Sequence, residues 1–92
     1  MTSEHLSALL QAASAKTDDE GWQHPAEGRS MTLHLAHDGA TLSISRICAA
    51  RVTGKLVYTK SSQGELYVVS LDDLFAGSVE GPREVGRKAG FA

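Results

Sequence analysis

The sequence predicts a small α+β domain: an N-terminal helix packed on a four-stranded antiparallel β-meander, with a flexible C-terminal tail. Three observations carry this expectation. Between residues 31 and 71, apolar side chains recur at every second position, which is the period of half-buried strands. Asp38-Gly39, Thr53-Gly54 and Gln63-Gly64 punctuate that stretch with glycine where hairpins need positive φ. Near the N-terminus the spacing changes: Leu6, Leu9, Leu10 and Ala13 fall at i, i+3, i+4 and i+7 and draw one apolar stripe.

The helix is expected over 4–15. Ser3 is placed to cap it, Glu4 lies in the first turn beside the positive helix end, and Lys16 lies at the negative end. A helix of this length is marginal in isolation and has to dock, with the buried face of the sheet as the obvious surface. Residues 17–30 read as an acidic loop, with Asp18-Asp19-Glu20, two glycines and His24-Pro25. Loops this long are usually functional or mobile. Trp22, in its middle, has two readings: a lid over the joint between helix and sheet, or an exposed interface anchor.

Strands follow over 31–37, 41–52, 55–60 and 65–71. Met31, Leu33 and Leu35 share one parity, as do Leu42 and Ile44, then Leu56 and Tyr58, then Tyr67, Val69 and Leu71. In the second strand the parity slips from Leu42 and Ile44 to Ile47 and Ala49, and a bulge near Ser45-Arg46 restores one face. Cys48 and Ala50 then share the face of Arg46. The fourth strand is apolar on both parities across Leu66-Tyr67-Val68-Val69, as expected of a central or partner-covered strand. Ser70 or Asp72 can cap a single helical turn ending at Gly77, with Leu74 and Phe75 closing the core. The domain is therefore expected over 1–76. Residues 77–92, rich in glycine and basic, are expected to form the flexible tail.

Ninety-two residues make one domain near the lower limit of a self-sufficient core, where association with a copy or a partner is a common remedy. The single cysteine, Cys48, excludes an internal disulfide and suits a reducing compartment. No apolar run approaches the roughly 20 residues of a membrane span, and no basic-then-apolar leader opens the chain. The expected location is the cytoplasm, with no membrane contact. The net charge of −2 hides a blocked arrangement. Residues 1–28 carry −4, residues 29–64 carry +4, residues 65–80 carry −4 and the rest +2. Alternating blocks of this kind favour a protein partner or self-association over free duplex binding.

Catalytic patterns are thin. Cys48 with His34 or His37 gives a thiol and an imidazole without a third group, and a small buried thiol is what strands routinely carry. His34 and His37 lie three apart on a strand and so point to opposite faces, poor geometry for one metal. Gly86-Arg87-Lys88-Ala89-Gly90 follows no strand and opens no helix, so it is not a phosphate loop. No catalytic residue, metal site or cofactor is expected. The candidate partner-binding residues are Trp22 in the acidic loop, Arg46, Arg51, Lys55 and Lys60 around the middle hairpin, where no aromatic interleaves with them, and Arg87, Lys88 and Phe91 in the tail. The tail trio pairs two cations with one aromatic anchor, a layout common in docking peptides.

Leu42, Ile44 and Ile47, then Gly54, Leu56 and Tyr58, then Gly64-Glu65, Tyr67 and Leu71-x-x-Leu74 resemble the central hairpins of LytTR-type DNA-binding domains. That resemblance implies a DNA-binding sheet, yet nothing after Phe75 matches the Arg/His-rich recognition tract that follows in those domains. A helix followed by a bent antiparallel meander is also similar to an Sm-type ring subunit, without its second-half motif. Neither resemblance assigns a family. The expected function is non-enzymatic: a small adaptor or regulatory protein that binds another protein through its sheet, acidic loop or tail, with a homodimer as one form. The alternative is a nucleic-acid-binding regulator using the basic middle hairpin.

Overall fold

The computed structural model describes residues 1–81, which form a small α+β fold with an N-terminal helix and a mostly antiparallel sheet. Helix α1 spans Ser3–Ala12. Its cap is Thr2, one residue before the expected Ser3, and the Thr2 hydroxyl accepts from the His5 backbone N–H at 3.1 Å. The helix stops short of residue 15 because Ser14 takes φ 55° and closes a Schellman turn. There the Ser14 N–H donates to Gln11 O at 2.9 Å and the Ala15 N–H to Leu10 O at 3.0 Å. Arg29 Nη1 donates to Ala12 O at 3.0 Å and satisfies another terminal carbonyl. Leu6, Leu10 and Ala13 are buried and Leu9 packs beside them, so the apolar stripe docks as expected.

The strands are β1 (Lys16–Thr17), β2 (Gln23–His24), β3 (Ser30–His37), β4 (Ala40–Thr53), β5 (Leu56–Ser61), β6 (Leu66–Ser70) and β7 (Leu74–Glu80). A 3-10 turn over Leu71–Asp73 joins β6 to β7; Ser70 caps it, and it ends at Leu74 rather than Gly77. Strands β3 to β6 are the expected meander, within one residue at each end. The other three are additions to it. The acidic loop folds into the β1–β2 hairpin, which joins β4 through Gln23 opposite Ala50. Strand β7 returns antiparallel along β3, from Ser30 opposite Glu80 to Leu35 opposite Leu74. The expected boundary at 77 therefore falls inside a paired strand. Arg87, Lys88 and Phe91 lie outside the described residues.

Strand β4 makes the sheet bend. Between Met31↔Ile47 and Leu33↔Ile44, β4 advances three residues against two on β3, and Arg46 takes φ 58°. This is the bulge expected near Ser45-Arg46, and it brings Ile44 and Ile47 into one core. A second irregularity follows at once. Between Ile47↔Ser61 and Ala49↔Lys60, β4 advances two residues against one on β5, leaving Cys48 as the extra residue. Cys48 is thus exposed, not the buried thiol expected. Ala50 turns to the core instead of sharing the face of Arg46.

The second bulge also reverses the expected parity of β5. Val57, Thr59 and Ser61 are buried, while Leu56 and Tyr58 face outward. The core comprises Leu6, Leu10, Met31, Leu33, Ile44, Ile47, Val57, Leu71 and Leu74 with smaller neighbours. Each such large side chain contributes roughly 1.5–3 kcal/mol when fully buried. Thr59 is satisfied within the sheet, its hydroxyl donating to Tyr67 O at 3.3 Å. Phe75, expected in the core, is an exposed bulge residue on β7. Leu42 is exposed as well, lying opposite Leu35 near the hairpin end of β4.

Candidate protein-binding face

The face of β4 and β5 turned away from α1 is built from alternate residues. Ala49↔Lys60, Arg51↔Tyr58 and Thr53↔Leu56 are cross-strand pairs on it, and β6 extends it with Tyr58↔Val68 and Lys60↔Leu66. The β1–β2 hairpin delivers Trp22 to this face. Asp18 builds that hairpin. Its Oδ1 accepts from the backbone N–H groups of Glu20 and Trp22, both at 2.9 Å, and its backbone N–H donates to Trp22 O at 2.8 Å. Gly21, at φ 87°, makes the reversal. Asp18 Oδ2 lies 2.9 Å from His24 Nε2. That bond to His24, together with the two backbone donors, holds the Asp18 carboxyl below its ordinary value of 3.8 against a smaller opposing effect of desolvation.

Trp22 retains 8% of its surface exposed and is not part of the cluster that α1 closes. The expected lid over the joint between helix and sheet is therefore a lid over the other face. Lys60 Nζ sits 4.3 Å from the Trp22 ring centroid and the Arg51 guanidinium carbon 5.9 Å from it. Arg51 also reaches Tyr58, at 5.7 Å. Cations this close to aromatic faces are attracted by the ring quadrupole. Two aromatics and two cations thus interleave on one surface. No aromatic is expected on the basic face, since Tyr58 shares the parity of Leu56, expected inward, and Trp22 belongs to the acidic loop.

Beside this cluster the surface becomes aliphatic. Leu66 is 57% exposed, Val68 49% and Leu56 44%, and all three lie on the same outer face. Among the described residues β6 pairs with β5 and with no other strand, so its second edge is open. Of the two expectations for the fourth strand, central or partner-covered, the first is overturned: β6 is an edge among the described residues. Of the candidate residues, Trp22, Arg51 and Lys60 come together. Arg46 stands apart at the first bulge of β4, where its carbonyl accepts from the Ser62 N–H at 2.9 Å. Lys55 lies at the tip of the β4–β5 hairpin, its Nζ 3.6 Å from Asp72 Oδ2. The residues missed were Tyr58, Leu56, Leu66 and Val68; the apolar run on both parities of β6 was the signal for the last two.

The imidazoles have separate partners. His34 Nδ1 is 2.7 Å from Ser43 Oγ, and His37 Nδ1 is 3.1 Å from Asp73 Oδ1. Among the described residues no group of three His, Cys, Asp or Glu side chains is arranged to hold a metal ion, and no helix is long and apolar enough to cross a membrane. No protein-family model, curated protein or solved structure matches the chain, so the LytTR-type and Sm-type resemblances gain no support from relatives.

Proposed function

We propose that this protein is a non-enzymatic adaptor or regulatory subunit that binds another protein through the outer face and open edge of β5 and β6. The observation that carries the reading is an edge strand with no charge between Glu65 and Asp72, presenting Leu66 and Val68 to the outside. Edge strands normally carry charge, proline or a bulge that blocks pairing. An aliphatic patch beside aromatic and cationic side chains is the composition of an interface centre with a polar rim. The test is affinity capture with the full chain and two matched variants, Val68→Lys on the edge and Gln11→Lys on the exposed side of α1. A partner kept by Gln11→Lys and weakened at least about tenfold by Val68→Lys supports the reading; equal retention by both contradicts it.

A second reading draws on Arg51 and Lys60 beside the half-buried Tyr58, since phosphates and stacked bases use cations and aromatics together. It is tested by titrating salt against labelled single strand and duplex. Binding through the two cations falls with salt at a log–log slope of roughly two at most. Salt-independent binding, or none, removes this reading.

A further inference from the structure

We propose that the strand covering the open edge of β6 is β6 of a second copy, paired antiparallel about a two-fold axis at Val68. The inference rests on the protein-binding reading above and names the partner. It begins with the backbone. The Ser61 N–H donates to Glu65 O at 2.9 Å and the Leu71 N–H to Lys55 O at 2.8 Å, and both pairs share the β5–β6 register. Antiparallel hydrogen-bonded pairs recur at every second residue. Residues 65, 67, 69 and 71 therefore bond inward to β5, and Leu66, Val68 and Ser70 turn their N–H and C=O groups to the open edge.

That row of groups is self-complementary. A two-fold axis through Val68 sets Val68 opposite its own copy and Leu66 opposite Ser70, so each outward N–H meets an outward C=O. Side chains follow the backbone. Leu66 and Val68 of both copies fall on the same outer face, continuous with Leu56 of each, and the exposed aliphatic patch closes on itself. Residues 66–70 carry no charge, so the pairing opposes no like charges.

The alternatives within this chain fit less well. Of the other two terminal strands, β1 is only two residues long, and β7 is interrupted by the Phe75 bulge and carries α1 against Gly77, where an added Cβ would lie 2.5 Å from Leu9 Cδ2. Residues 82–92 include Pro82, Gly86 and Gly90 among four charged residues, and hold no five-residue run with strand character. Strand β6 itself, with Leu, Tyr and two Val, is the best strand former available to cover its own edge.

Single-cysteine chains in a Cys48→Ser background test the register. At the two-fold axis, Val68 Cα atoms lie about 5.5 Å apart, within the window a disulfide spans. Two copies of residue 66 lie about 13 Å apart along the strands, outside it. Under mild oxidation Val68→Cys is expected to cross-link with itself. Leu66→Cys and Ser70→Cys alone are expected to stay single, and their mixture is expected to give the mixed dimer. Sedimentation of the unmodified chain is expected to show a dimer that rises with concentration and weakens at least tenfold in Val68→Lys. A concentration-independent monomer, or cross-linking of Leu66→Cys as readily as Val68→Cys, overturns the second copy as the occupant. A different protein lost on Val68→Lys while the chain stays monomeric would overturn this inference and leave the protein-binding reading standing.

Discussion

Three residues set how this small chain bends and closes. Ser14 sits at φ 55° in the position where a helix end favours glycine. Left-handed backbone costs an L-residue about 1–2 kcal/mol, offset partly by the extra entropy a glycine loses on folding. Ser14→Gly is therefore expected to stabilise the fold by about 0.5 kcal/mol, read as a higher urea midpoint with unchanged slope; a lower midpoint contradicts it. Gly77 makes the opposite case. An added Cβ would press on Leu9 Cδ2, and on Leu33 Cδ2 at 3.0 Å. Gly77→Ala is expected to destabilise by about 1–2 kcal/mol, as overpacked cores do. Arg46 at φ 58° is the third, since its bulge turns Ile47 into the core. That turn was legible as a slipped parity. The turn at Cys48 was not, because Ala49 and Ala50 are both small and both buried, one on each face of the sheet.

At the scale of elements, the β1–β2 hairpin is the least obvious part and the one most dependent on a single carboxylate. Two residues per strand give almost no period to read, and the acidic run hides the turn. Asp18 organises it through backbone acceptance and through His24. Because the folded carboxyl lies below its ordinary value of 3.8, its contribution is complete above that value and is lost as pH falls through the lowered one. Fluorescence of Trp22, the sole tryptophan, is expected to hold steady down to about pH 4 and shift red below it. Asp18→Asn keeps an oxygen acceptor without the titrating proton and is expected to flatten that acid shift. A shift centred above pH 5 instead would contradict control by Asp18. Strand β7 is hidden in the sequence for a related reason: Gly77 and adjacent Leu74 and Phe75 break the alternation, and Leu9 Cδ2 lies where a Cβ at residue 77 would press.

For the molecule as a whole, the meander, the helix and the first bulge were written in spacing, while the site was not. Trp22, Arg51 and Lys60 were visible as residue types, but their meeting depends on the β2–β4 pairing and on the parity reversal at Cys48. The apolar character of β6 was legible; its place at the edge depends on β7 returning to β3. What results is a small core with an uncharged strand on its rim, and that rim is where association would bury the most aliphatic surface. Residue-resolved amide hydrogen exchange of the full chain, at dilute and at high protein concentration, reads this directly. The amides of Tyr67, Val69 and Leu71 are expected to be protected at both concentrations, and those of Leu66, Val68 and Ser70 to gain protection as concentration rises. Fast exchange of the latter three at every concentration would contradict the covering of the β6 edge by a second copy.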